Sequence, residues 1–303
     1  MKTYADLVGD GGSNIVAQVQ QQAARLRDRL SHVHHIVGVV SGKGGVGKSA
    51  VTVNLATACA MQGWRVGVLD VDINGPSIAK MLGVRSYLPK VTPNGVLPAQ
   101  GPFDMRVMSM DLFLPDDATP VLWSAPTQQD AYVWRGTMEM TTVREMLTDT
   151  VWGELDCLFL DLPPGPDRLP NIAGLLPFMA GVIMVTIPSQ VSQLIVTKSL
   201  TLAKEVLPNR IIGLVDNMQG YACADCQTLR PLFPESGSAE TARSLQVPYI
   251  GGIPFDPALA QSADEGRPFV LDHAETLAGK AFMQLASAVQ TYLQTRVSAG
   301  DTP

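Results

Sequence analysis

Cysteine is scarce in this chain, with four residues among 303. A chain of this length without a secretory context and with so few cysteines is not built on a disulfide framework. A reducing, cytoplasmic compartment is therefore expected. Positive charge is also in short supply: Lys and Arg number 22 against 28 Asp and Glu, for a net charge of −6. Non-specific nucleic-acid binding needs a broad basic face, so nucleic acid is not an expected partner, and only a local basic patch remains open. Long hydrophobic runs are missing too. The longest uncharged stretch, Asn171 to Thr197, is broken by Pro177 and Pro188 and ends among Ser189, Gln190, Ser192 and Gln193. A buried helix followed by a buried parallel strand is expected there, not a membrane span. The opening Met1-Lys2-Thr3-Tyr4-Ala5-Asp6 lacks the apolar core of a secretion signal.

What is present is apolar material and one glycine-rich loop. Hydrophobic residues make up 46% of the chain, enough for one large α/β core or two smaller ones. The loop follows the β-branched run Ile36 to Val40, and the chain after it suits a helix. Gly42, Gly47, Lys48 and Ser49 match the phosphate-loop spacing G-x-x-x-x-G-K-S. Glycines let backbone N–H groups turn inward around an anion, and the helix N-terminus adds positive potential. Residues 42–50 (Gly42, Lys43, Gly44, Gly45, Val46, Gly47, Lys48, Ser49, Ala50) are the expected nucleotide cradle. Lys48 is expected to reach the β- and γ-phosphate oxygens of ATP, and Ser49 to take a Mg²⁺ position.

Lys43 places a second lysine near the start of the loop. The run Lys-Gly-Gly-Val-Gly-Lys-Ser resembles the "deviant" Walker A loop of a family of dimeric ATPases. That family includes Min and Par proteins, the nitrogenase iron protein and the Mrp/ApbC carriers. The resemblance implies a homodimer in which Lys43 reaches the partner's nucleotide.

Taken in order, residues 1–34 read as a tail and an amphipathic helix. Ile15, Val19, Ala23, Leu26 and Leu30 share one face of that helix, and Arg25, Arg27 and Arg29 lie elsewhere on it. Docking on the chain's own core is the first expectation, and a partner or membrane contact the second. His32, His34 and His35 precede the first strand, at the sheet end opposite the loop, which argues against a metal role. Ala50 to Met61 reads as helix. Trp64 to Asp72 reads as a second buried strand ending in Asp70 and Asp72, and carboxyl ends of parallel strands are where functional groups gather. The segment D-x-D-x-x-G-P-S (Asp70 to Ser77) resembles switch I of Mrp-type proteins, which implies that Asp72 orients the attacking water. Residues 84–122 suggest small strands or a hairpin beside the main sheet.

Trp134-Arg135-Gly136 is expected to precede a helix reaching about Thr150. With Trp152-Gly153-Glu154-Leu155-Asp156 it resembles the Mrp/ApbC subfamily, and residues 124–132 read as an insertion. Asp156 to Asp161 is a third strand ending in a Walker B-type acid, so Asp161 is expected to hold Mg²⁺ directly or through water. Gly165 follows, expected to give its N–H to the γ-phosphate. The family usually continues Gly-Thr-Gly-Asp, but here the run is Gly165-Pro166-Asp167-Arg168. Pro166 has no N–H and fixes its own φ, which bears on hydrolysis more than on binding. Gly181 to Ile187 is a fourth strand, Ser189 to Val206 a helix, and Ile211 to Met218 a fifth strand. Related ATPases use an asparagine at its end to bind adenine, which makes Asn217 the base-recognition candidate.

Cys223 and Cys226 lie just beyond that strand. A C-x-x-C pair is compatible with redox chemistry, zinc, an iron–sulfur cluster or no chemistry at all. Pro231 and Pro234 disfavour the helix that a thioredoxin-like motif would open. A closed four-ligand site needs two more ligands. Cys59 and Cys157 read as core residues, whereas two copies about a two-fold axis would supply two plus two. The order strand, Asn217-Met218, C-x-x-C, Ile253-Pro254-Phe255-Asp256 and Asp264-Glu265-Gly266-Arg267-Pro268 resembles Mrp/ApbC proteins. In that family the pair carries a bridging 4Fe–4S cluster. The family's proline after the first cysteine is Ala224 here.

The expected architecture is α/β: a doubly wound, mostly parallel sheet with helices on both faces, spanning about residues 35–295 with a loose tail over 296–303. The resemblance implies an ATPase that carries a 4Fe–4S cluster as a homodimer. Its partners would be apo iron–sulfur proteins and a cluster-assembly scaffold, and no stable membrane anchor is expected. The rival expectation is a Par/Min-like partitioning or regulatory switch without a cluster. A nitrogenase-type electron carrier is disfavoured, because no cysteine lies just downstream of Asp161.

Overall fold

The computed structural model describes residues 15–116, 118–121, 128–222, 228–233 and 237–298. Helix α1 (Ile15–Leu30) leads into the central strand β1 (Val33–Ser41). Helix α2 (Lys48–Met61) follows the glycine-rich loop and strand β2 (Val66–Asp70) comes next. After the short helix α3 (Ile78–Met81) come four short strands, β3 (Lys90–Thr92), β4 (Gly95–Leu97), β5 (Ala99–Gln100) and β6 (Arg106–Met108). Helix α4 (Gln128–Asp149), β7 (Leu155–Asp161), α5 (Leu169–Leu175), β8 (Gly181–Thr186), α6 (Gln190–Val206) and β9 (Ile211–Ala222) complete the middle of the chain. The last elements are β10 (Leu229–Pro231), α7 (Ser238–Ser244), β11 (Tyr249–Phe255), α8 (Pro257–Asp264), α9 (Phe269–His273) and α10 (Leu277–Ser298).

One mixed sheet runs β10-β9-β8-β1-β7-β2-β6-β5, with β11 added on β9. The pairings β6–β2–β7–β1–β8–β9–β11 are all parallel. Only β5 and β10 pair antiparallel to it, and β3 with β4 forms a separate hairpin. This is a doubly wound P-loop fold with an N-terminal helix. Strands β2 and β8 are buried along their whole length, which is why they read as unbroken apolar runs. Helix α2 is buried on nearly every side, packed between the sheet and α10. Cys59 on α2 and Cys157 on β7 are fully buried free thiols. Burial pushes the Cys59 thiol up to about 12, which keeps it protonated at neutral pH, as suits a core residue. No helix among the described residues is long and apolar enough to cross a membrane.

Several boundaries differ from the sequence expectation. Strand β1 starts at Val33, not Ile36, because His35 stacks on Trp64 with ring centroids 6.3 Å apart and so joins the packed region. In α1 only the last part of the apolar face docks: Leu26 and Leu30 are buried, while Val19 is 59% exposed. Trp134-Arg135-Gly136 lies inside α4 and does not precede it. Strand β9 runs to Ala222, four residues past Met218, because β10 and β11 both pair with its far end. Among the described residues three helices follow residue 256, the last running to Ser298 into the segment expected as tail. Residues 1–14, residues 124–127 of the expected 124–132 insertion and both Cys223 and Cys226 lie outside the described residues, and residues 128–132 of that insertion begin α4.

Candidate functional site

Strand β1 sits between β7 and β8 in the sheet. The loop after it therefore opens at the crevice where an open parallel sheet collects its ligands. Gly47 ends the loop in a left-handed conformation (φ 77°, ψ 24°) and hands over to α2 at Lys48. A β-carbon there would stand 2.2 Å from Asn217 Nδ2, so conformation and space both call for glycine. A cavity of about 250 Å³ lies over the loop. Lys43, Lys48 and Ser49 line it, together with Gly44, Gly45, Val46, Gly47 and Ala50, and Asp72 and Pro164 close its rim. The structure thus brings the two lysines, Ser49 and Asp72 to one cavity. A larger cavity of about 780 Å³ between α1, α4 and α5 shares no lining residue with it.

Asp161, at the end of β7, is fully buried beneath the loop. Lys48 Nζ lies 2.6 Å from Asp161 Oδ2, and Ser49 Oγ donates to the same oxygen at 2.7 Å. Thr52 donates Oγ1 to Asp161 Oδ1 at 2.6 Å. Sequence reasoning did not single out Thr52; its signal was its place three residues, one helical turn, after Ser49. The buried carboxylate and adjacent hydroxyl are hard oxygen donors of the kind Mg²⁺ prefers. Ser49 and Asp161 are the residues that would hold the ion, which would supply charge neutralisation for phosphate oxygens.

Asp70 faces Asp161 across the β2–β7 pairing. It is buried and accepts from the backbone N–H of Asp72, Ser77 and Ile78, at 3.2, 2.9 and 3.1 Å, and from Ser109 Oγ at 3.2 Å. Its carboxyl is pushed up to about 7, first by burial and then by Asp161. Asp70 is thus committed to folding the 70–78 segment. Asp72 is half-buried at the cavity, and desolvation raises its pKa against the pull of Lys48. Two residues on, Asn74 Nδ2 donates to Glu139 Oε1 at 2.7 Å. Glu139 Oε2 also pairs with Arg168 Nη2 at 2.5 Å.

Gly165 adopts φ 97° at the head of the Pro166–Arg168 turn. Its N–H donates to the Ser41 carbonyl at 3.0 Å. That donor is turned to the end of β1. Gly42 touches α6: a β-carbon there would meet Ile195 Cγ2 at 2.7 Å.

Asn217 is buried at the other wall and donates Nδ2 to the Val46 carbonyl at 2.9 Å. Its strand continues to Ala222, which pairs with Leu229 of β10. Residues 223–228 are the connection between those paired strands, and they include both cysteines of the pair. Among the described residues, no group of three or more His, Cys, Asp or Glu is disposed to hold a metal ion.

A family profile described as "ParA: NUBPL iron-transfer P-loop NTPase" matches residues 32–290. The chain is 40% identical over 273 residues to an iron-sulfur cluster carrier protein of Saccharolobus solfataricus, covering 90% of this chain and 88% of the relative. It is 36% identical over 267 residues to the cytosolic Fe-S cluster assembly factor nubp2 of Xenopus tropicalis, covering 86% and 94%. Among solved structures, a nucleotide-binding protein in complex with ADP from Archaeoglobus fulgidus superposes with a TM-score of 0.68 at 31% identity, over 81% of this chain and 92% of that one. A two-lysine phosphate loop, a buried acid beneath it and matches of this length establish that the chain belongs to the NUBPL iron-transfer P-loop NTPase family, among the Mrp/ApbC-type carrier ATPases of the ParA/MinD superfamily.

Proposed function

We propose that this protein is an ATP-driven carrier whose cargo is a 4Fe–4S cluster, held between Cys223 and Cys226 of two copies and passed to apo iron–sulfur proteins. One observation carries the reading. Strand β9 has Asn217 bonded to the nucleotide loop, and its far end leads directly into the cysteine pair. A change at the loop is then linked to the cysteine pair through the second half of one strand, Asn217 to Ala222. The printed names of the relatives, a cluster carrier and a cluster-assembly factor, support the cargo. A closed cluster site takes four thiolates, and two copies about a two-fold axis supply them.

The chain's own residues define the chemical steps. Lys48 leaves Asp161 for the β- and γ-phosphate oxygens when ATP binds. Ser49 and Asp161 would hold the nucleotide's divalent cation, which would neutralise charge on the phosphate oxygens. Lys43 reaches the nucleotide of the second copy, and Asp72 orients the water that attacks the γ-phosphorus. As that bond forms, the bond from the γ-phosphorus to the leaving ADP oxygen breaks. Asn217 Oδ1 is the group that reads the base while its Nδ2 holds Val46.

The test is anaerobic cluster reconstitution of the wild type beside Cys223→Ala/Cys226→Ala, read by absorption near about 400 nm and by iron counting. About four irons per dimer, lost in the variant, is the expected result. Cysteine-independent iron, or none, would overturn the carrier reading and favour a partitioning-type switch without cargo.

A further inference from the structure

The cavity of about 780 Å³ between α1, α4 and α5 combines an apolar lining with two arginines. Leu26 is buried there, and Met140, Leu175 and Phe178 are half-buried and packed against the core. Gly174 leaves the space open: a β-carbon there would meet nothing within 4 Å. Arg27 comes from α1 and Arg144 from α4. Arg144 Nη1 donates to the neutral Gln22 Oε1 at 3.2 Å, and no carboxylate among the described residues forms an ion pair with either arginine. Arg29 differs, because it is engaged with the Thr148 and Asn94 carbonyls at 2.8 and 2.7 Å. In a chain of net charge −6, guanidinium groups beside an apolar recess are a local exception. The walls Val19 to Arg27 and Gly136 to Arg144 are each about 12 Å of helix, room for about two turns of another.

We propose that this groove docks an acidic amphipathic segment of a partner protein, its apolar side chains on Met140, Leu175 and Phe178 and its carboxylates on Arg27 and Arg144. Charge complementarity decides the occupant. Apolar contact in a recess between helices supplies affinity, and the planar arginine fork holds a carboxylate by two hydrogen bonds, which fixes the register of the segment. A bilayer meets apolar groups on a projecting face, whereas these lie in a recess. Helix α5 begins at Leu169, directly after the Pro166–Arg168 turn, so the docked segment rests on the element next to the nucleotide loop. The assignment goes beyond the carrier reading and does not depend on it, since the groove shares no lining residue with the nucleotide cavity.

The test uses the full chain, without cluster or nucleotide, and two fluorescein-labelled synthetic peptides about four helical turns long. One has leucine at helical i, i+3, i+4 and i+7 spacing with glutamate and alanine elsewhere, and the other has lysine in place of glutamate. Fluorescence anisotropy should show saturable binding of the glutamate peptide, with a Kd of about 10–100 μM, and none of the lysine peptide. Arg27→Glu and Arg144→Glu should each weaken that binding about tenfold or more. Gly174→Phe, which fills the groove and keeps both arginines, should weaken it by as much. Arg25→Glu makes the same charge change on α1 outside the groove and should leave Kd within about twofold. Arg25, Arg27 and Gly174 are exposed, so their variants keep the fold. Equal losses in Arg25→Glu and Arg27→Glu would mean bulk charge attraction, and undiminished binding to Gly174→Phe would mean a site elsewhere. Either result overturns the proposal, as does a wild type that binds neither peptide or both alike.

Discussion

Asn217 and Gly47 occupy one another's space: the Asn217 amide nitrogen stands 2.2 Å from where a β-carbon of Gly47 would be, and the same nitrogen bonds the Val46 carbonyl at 2.9 Å. The strand that leads to the cysteines is thereby keyed into the nucleotide loop from behind. Asn217→Ala should cost about 1–2 kcal/mol by leaving the Val46 carbonyl without its donor. Gly47→Ala should cost more, from the clash and the positive φ together. In the double variant the clash is gone and only the φ strain remains, so its loss should fall short of the sum of the singles. Urea unfolding of all four proteins without nucleotide checks this, and simple additivity would contradict the keyed arrangement.

Lys48 and Asp161 form a buried ion pair at 2.6 Å. Removing the lysine strands a carboxylate that already faces Asp70. Lys48→Met should therefore destabilise the nucleotide-free protein by about 3–5 kcal/mol, besides abolishing ATP binding. Lys48→Met/Asp161→Asn should recover part of that stability and none of the binding. Denaturant midpoints and nucleotide titrations on the two variants distinguish these effects.

His35, half-buried against Trp64, has its pKa lowered from the ordinary 6.5, chiefly by burial and next by His34, with Asp156 opposing. The unfolded chain then takes up a proton at a higher pH than the folded one. Its contribution to stability is complete above pH 6.5 and is lost as pH falls from there through the folded value. His35→Phe should flatten the fall of stability below pH 6.5 and leave the slope of the curve above it unaltered. Urea midpoints across that range, wild type minus variant, give the answer directly.

Pro166 withholds a backbone donor beside Gly165. Pro166→Thr restores the N–H and frees φ. On the proposed reaction it should raise kcat by about tenfold or more, the worth of one hydrogen bond to a charged group, with KM nearly constant. A fall in kcat would mean that the fixed turn is itself needed to hold Arg168 on Glu139.

The sequence was informative wherever function depends on local spacing. The phosphate loop, the acid ending β7 and the asparagine on β9 each sit beside an apolar run, and the parallel sheet brings those strand ends together by topology alone. Long-range relations were silent. The extension of β9 to Ala222 depends on pairing with β10 and β11, and Met218 with φ 57° gave no sign of a continuing strand. Trp134-Arg135-Gly136 suggested a helix start because glycine usually marks a boundary, yet α4 runs through it. Val19 and Leu26 share a helical face, but only Leu26 of the two is buried. The meeting of Asn74, Glu139 and Arg168 has no local signature, since each residue belongs to a different segment.

Gly165 spends its N–H on the Ser41 carbonyl, and the next residue is a proline. At these two positions the loop has a single amide to give, and that amide is already given. Any ligand oxygen that takes the Gly165 N–H must displace the Ser41 carbonyl from it, and the affinity of such a ligand is reduced by the work of that exchange.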